Sequence, residues 1–167
     1  MGVTPLYLAV DNNHYGACKL LLTCGADANA NVKLYDYYYK STLLHIAVRH
    51  GNIDICELLM DHGADISKTE DYKTPLQIAA KENHEDICKL FLRYDIGDAI
   101  DMGYPTPLYH AIDNNNTELA KLFIQHGASI GACKEVHYAD NGAHFNEFTD
   151  TLLDVMSDLL REHIPTV

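Results

Sequence analysis

The sequence predicts an all-α solenoid of four helix-turn-helix units closed by a C-terminal capping helix. Three observations predict it. A phrase of threonine, usually proline, leucine, two variable residues and alanine recurs as Thr4-Pro5-Leu6-Tyr7-Leu8-Ala9, Thr42-Leu43-Leu44-His45-Ile46-Ala47, Thr74-Pro75-Leu76-Gln77-Ile78-Ala79 and Thr106-Pro107-Leu108-Tyr109-His110-Ala111. The threonines stand 38, 32 and 32 residues apart. A second phrase follows each at constant offset: Gly25-Ala26-Asp27, Gly63-Ala64-Asp65, Asp95-Ile96-Gly97 and Gly127-Ala128-Ser129. Self-similarity at a fixed period means a stacked array in which no unit has a core of its own.

The elements follow in order from local chemistry. Each threonine can cap free amides, and proline after it is tolerated in the first helical turn, where its missing N–H would have had no partner. In the second unit Leu44, Ala47 and Val48 share one helical face, Gly51-Asn52 breaks the helix, and Ile55, Leu58 and Leu59 give a second apolar stripe. Gly63 then stands where a left-handed residue commonly ends a helix. Helices this short are marginal alone, so neighbouring units must stabilise them. Applied along the chain, the same reading gives one domain with units at about 2–31, 37–68, 69–100 and 101–131, an insertion at 132–148 and a cap at 149–163. The cap is read from Thr151-Leu152-Leu153-Asp154-Val155-Met156, which echoes a repeat start. At the other end the chain enters almost directly at Thr4, so either the first unit is a degenerate cap or the array continues upstream.

These residues resemble the ankyrin repeat, whose period of about 33 and threonine-proline-leucine-histidine-x-alanine signature match over roughly residues 2 to 131. The fourth signature position varies as Tyr7, His45, Gln77 and Tyr109, so only the second unit keeps the histidine. Leu43 in place of proline and the altered exit at Asp95 to Gly97 mark a diverged natural array. In the family pattern, partner-facing positions lie three and four before the threonine, just before it, and at the two residues closing the first helix. Carried over, they are Asp11 and Asn12; Tyr38, Tyr39, Ser41, Arg49 and His50; Glu70, Asp71, Lys73, Lys81 and Glu82; and Met102, Gly103, Pro105, Asp113 and Asn114.

The first linker is longer than the others and reads Leu34-Tyr35-Asp36-Tyr37-Tyr38-Tyr39-Lys40. Tyrosine joins a rigid apolar ring to a polar tip and is enriched at binding hot spots, so Tyr35, Tyr37, Tyr38 and Tyr39 are expected to form a contact finger. Asp27-Ala28-Asn29, with Leu21 upstream, resembles the asparagine-hydroxylation context of some ankyrin repeats and makes Asn29 a candidate modification site.

Composition bounds the function. The chain has 167 residues, 47% of them hydrophobic and 22% charged, and a formal charge of −12. Such a charge repels nucleic-acid phosphates and anionic membranes and favours a protein partner with a basic patch. No stretch approaches the 18 or more apolar residues of a membrane helix, and Met1-Gly2-Val3-Thr4-Pro5 has no basic segment ahead of an apolar run, so neither secretion nor membrane insertion is expected. The expectation is a cytoplasmic monomer, with nuclear entry possible. Cys18, Cys56 and Cys88 share one place in the second helices, where the fourth unit has Ala120. They are read as a core column of free thiols in a reducing compartment.

No catalytic constellation is present: there is no phosphate loop, nucleophile elbow or zincin motif. The residue types of Cys133, His137, Asp140 and His144 suit zinc, but their spacing follows no known ligand pattern, so neither a metal nor another cofactor is expected. The function read here is therefore an intracellular protein-binding module that sequesters or competes for a partner. It is similar to virus- or pathogen-encoded ankyrin proteins, including those resembling inhibitors of the NF-κB class. The alternative is the substrate-recognition fragment of a larger adaptor or effector, such as a ubiquitin-ligase receptor.

Overall fold

The computed structural model describes residues 4–32, 41–133 and 145–163. It is an array of helical hairpins: α1 (Pro5–Asp11) with α2 (Tyr15–Thr23), α3 (Leu43–Arg49) with α4 (Ile53–Asp61), α5 (Pro75–Lys81) with α6 (Glu85–Leu92), and α7 (Pro107–Asp113) with α8 (Thr117–Gln125). A long helix, α9 (Phe145–His163), follows. Short 3-10 turns at Gly97–Ile100 and Ile130–Cys133 carry the chain out of the third and fourth units. The first unit instead leaves through an antiparallel strand pair, β1 (Asn31–Val32) with β2 (Ser41–Thr42), which brings Val32 opposite Ser41 across the base of the tyrosine-rich linker.

The repeat phrase works as its chemistry predicts. Thr4, Thr42, Thr74 and Thr106 are extended, and each hydroxyl accepts the backbone N–H of the residue three ahead, at 3.1 to 3.4 Å. Between paired helices the chain turns through left-handed residues, Asn13, Gly51, Asn83 and Asn115, with φ of 56, 63, 57 and 55°. Asparagine and glycine are the residues that tolerate that conformation. Asn52 and Asn116 then cap the second helices through the amides of Ile55 and Leu119.

First helices stack on first helices (α1 on α3, α3 on α5, α5 on α7), and second helices pack similarly at α2 on α4 and α4 on α6. The core runs through the interfaces as columns: Leu6, Leu44, Leu76 and Leu108; Ala9, Ala47, Ala79 and Ala111; and Cys18, Cys56, Cys88 and Ala120, all buried. Those three thiols are free, and burial raises the pKa of each, that of Cys56 to about 12. Cys24 is free and exposed.

The two ends of the array differ. The outer face of the fourth unit is covered by α9, which packs on α7 and α8 and buries Val155. Asp158 of α9 pairs with Lys121 at 2.7 Å, and the Thr151 hydroxyl donates to Asn115. This helix begins at Phe145, within the span the sequence assigned to the insertion. The first unit, in contrast, leaves Leu8 50% and Leu20 65% exposed, although their counterparts Ile46, Ile78, Leu58 and Leu90 are buried between units.

Candidate functional site

The register of the units sets a row of side chains along the ends of the first helices. Asp11 and Asn12, Arg49 and His50, Lys81 and Glu82, and Asp113 and Asn114 are all exposed. Contacts link them from unit to unit. His50 Nε2 lies 3.5 Å from the Asp11 carboxylate, and the Asn114 amide donates to the carbonyls of Ala80 and Lys81 at 2.9 and 3.2 Å. Arg49 forms an ion pair with Glu70 at 2.6 Å. Lys73 and Asp71 face each other at 4.0 Å.

Ser41, which the register also assigns to the surface, is only 1% exposed. Its hydroxyl donates to Glu70 at 3.1 Å, so it supports the Arg49–Glu70 pair from below rather than offering a contact of its own. Met102 and Pro105 are half-buried, with Met102 packed against the core, and Gly103 is exposed. Tyr35, Tyr37, Tyr38 and Tyr39 lie outside the described residues.

In the second and third units the signature position does one job with two different residues. In the second unit His45 Nδ1 accepts the Thr42 backbone N–H at 3.4 Å, and Nε2 reaches the Lys73 carbonyl at 3.0 Å. A carbonyl only accepts, so Nε2 carries the proton and the ring is neutral. In the third unit Gln77 does the same with an amide: Oε1 accepts from Thr74 N–H at 2.8 Å and Nε2 donates to the Pro105 carbonyl. Each side chain ties its own helix start to the residue just ahead of the next threonine.

A similar bond ties the exit turns. The Asn29 amide donates to the Gly63 carbonyl and its oxygen accepts from Asp65 N–H, both at 2.8 Å. Asn29, the candidate modification site, therefore bridges the first two units. His62 and His126 each bond the carbonyl one turn back, Leu58 and Leu122, at 2.8 Å.

Charges of both signs stand in the row, Arg49, Lys73 and Lys81 with Asp11, Glu70, Asp71, Glu82 and Asp113. Exposed acids concentrate on the second helices and exit turns, at Asp54, Asp61, Asp86, Asp95 and Asp98. Within the row His110 is desolvated and sits near Lys81, and Asp113 only partly offsets them, so its pKa falls to about 4. Its ring meets Tyr109 edge-on at 5.8 Å.

A folded pKa below the unfolded value of 6.5 means that the stability linked to neutral His110 is complete above pH 6.5 and is lost as pH falls toward about 4. Burial lowers the pKa of His45 in the same sense. Between those pH values the thermal midpoint of the native chain is expected to fall more than that of His110→Gln. Parallel melting curves would contradict this linkage.

Two tyrosines escaped the sequence register. Tyr72 is 80% exposed and Tyr104 57% exposed, each two residues before a repeat threonine, a position the family pattern does not mark. An aromatic at that offset in successive units was the available signal.

Among the described residues no group of three or more His, Cys, Asp or Glu could hold a metal ion. His137, Asp140 and His144 of the zinc-like set lie outside the described residues, and of Cys133 only the backbone is described. No described helix is long and apolar enough to cross a membrane.

A family model described as ankyrin repeats (3 copies) matches residues 1–70 and 44–134. No curated protein matches the chain.

Proposed function

Because the chain belongs to the ankyrin-repeat family, whose repeats are generally protein–protein interaction modules, we propose that it is an intracellular, non-enzymatic binder that holds a partner protein along its first-helix row and its fingers. The observation that carries this reading is the register itself. The apolar residues of the second, third and fourth units are spent on packing, whereas Arg49 and His50, Lys81 and Glu82, and Asp113 and Asn114 are presented in sequence along one side of the array. The linker tyrosines Tyr35, Tyr37, Tyr38 and Tyr39 belong to this reading through the chemistry of their side chains, a rigid apolar ring with a polar tip.

Charge supplies the partner's character. A net −12 draws in a protein with a basic patch at long range, while the mixed charges of the row fix its orientation at contact. Sequestration of that partner in the cytoplasm or nucleus, by a monomer, is the use we favour. A pathogen-encoded inhibitor of host signalling would act this way.

A partner protein captured from cell lysate on the immobilised chain should bind more weakly as salt rises, since screening shortens to about 3 Å at 1 M. Replacing Lys81 and Asp113 together by alanine, or Tyr38 and Tyr39 together, should cost about 2 kcal/mol if they are hot spots. The control pair Asp54→Ala and Asp86→Ala, on the second helices, should leave affinity unchanged. Loss confined to the control pair would move the binding surface to the opposite side of the array.

A further inference from the structure

We propose that Tyr72 and Tyr104, on successive inter-unit fingers, form an aromatic ledge that takes an extended, arginine- or lysine-bearing segment of the partner, with its cationic side chains laid on the rings. This rests on the interaction-module reading above and names the chemistry that such a surface would recognise.

The finger of the third unit is a two-residue turn. Glu70 and Lys73 exchange backbone hydrogen bonds, each at 2.9 Å, and close the turn over Asp71 and Tyr72. Both turn residues are left-handed, with φ of 48 and 61°. That geometry is suited to asparagine and glycine. A tyrosine there is strained, and with its ring 80% exposed the strain is not offset by burial. Strain of this kind clusters at functional positions. The next finger, built differently around Gly103, again leaves a tyrosine in water at the same offset from its threonine: Tyr104, 57% exposed.

Stacked helices lie about 8 to 10 Å apart, and a polyproline II chain, with three residues per turn and a rise of about 3.1 Å per residue, returns to the same face after roughly 9 Å. Fingers on neighbouring units are therefore spaced to suit side chains three residues apart on an extended ligand of that kind. Tyrosine faces attract guanidinium and ammonium groups. The setting favours a cation: the whole chain carries −12, and Asp71, beside Tyr72, is held by Lys73 only at 4.0 Å and keeps half its side chain exposed. A polyanion is repelled by the same field.

The test uses the full chain and a labelled twelve-residue synthetic peptide with arginine at every third position among alanines and prolines. An equal-charge peptide with its arginines clustered at one end serves as comparison, both read by fluorescence anisotropy. Tighter binding of the spaced peptide is expected. Tyr72→Gly should weaken it at least tenfold while the thermal midpoint stays level or rises, because glycine relieves the turn. Tyr104→Ala should weaken it similarly and Tyr104→Phe should not. These changes leave net charge untouched, so any loss belongs to the rings. No binding of the spaced peptide, no preference for it over the clustered one, or full binding by Tyr72→Gly would overturn the ledge. Lys81→Ala with Asp113→Ala separates the two readings. If that pair abolishes binding of the captured partner and Tyr72→Gly does not, the interaction surface stands and the ledge falls. If the tyrosine changes alone abolish it, the ledge stands and the first-helix row does not.

Discussion

Phe91→Ala is expected to remove about 3 to 5 kcal/mol of stability, read as a lower urea midpoint at unchanged slope. Phe91 is fully buried on α6, in a unit that packs against neighbours on both sides. In a solenoid stability is the sum of unit and interface contributions. A cavity in the third unit weakens its own hairpin and both junctions, against a total that is typically only 5 to 15 kcal/mol. Leu20→Ala makes the contrast. Leu20 has the same register as buried Leu58 and Leu90 but is largely exposed on the first unit. Its truncation should cost less than about 1 kcal/mol, while Leu90→Ala should cost about 2 to 5. If Leu20→Ala proved as damaging as Leu90→Ala, the outer face of the first unit would have to be covered in solution.

The same comparison indicates which features a single sequence reveals. Threonine caps, the recurring leucine and alanine positions and the cysteine column were legible because each repeats one physical task at one offset, and repetition exposes it. The equivalence of His45 and Gln77 was not. It depends on two unlike side chains reaching the same acceptor one unit away, which spacing alone does not encode. Ser41 was misread for a related reason: its offset marks a surface position, but Glu70 and the adjoining strand enclose it. The acidic balance was legible for the whole chain and not for one face, because only the fold sorts Asp54, Asp61 and Asp86 away from Lys73 and Lys81. Tyr72 and Tyr104 stood at an offset that the family pattern leaves unmarked, and their exposure became visible only with the turn geometry. Finally, the altered exit of the third unit leads into a 3-10 turn at Gly97–Ile100, as the regular exit of the fourth leads into one at Ile130–Cys133, so a departure in the phrase does not interrupt the array.

Gly103→Ala is expected to cost about 3 kcal/mol, with two separable parts. Gly103 is left-handed, with φ of 87°, which a side chain resists by roughly 1 to 2 kcal/mol. An added Cβ would also stand 1.9 Å from Gln77 Oε1 and 2.2 Å from its Cδ. A flexible side chain elsewhere would swing away at little cost. Gln77 cannot do so freely, since it is 1% exposed and holds both the Thr74 amide and the Pro105 carbonyl. Displacing it strands buried polar groups, at about 1 to 3 kcal/mol. In a Gln77→Ala background that contribution has already been lost, so adding Gly103→Ala should cost only the backbone part. A double-mutant cycle by urea titration should therefore show coupling of about 1 to 2 kcal/mol between the two sites. Additive costs would mean that the finger requires glycine for its backbone alone, and that the Gln77 bridge between the third and fourth units is not what holds the loop against the helix.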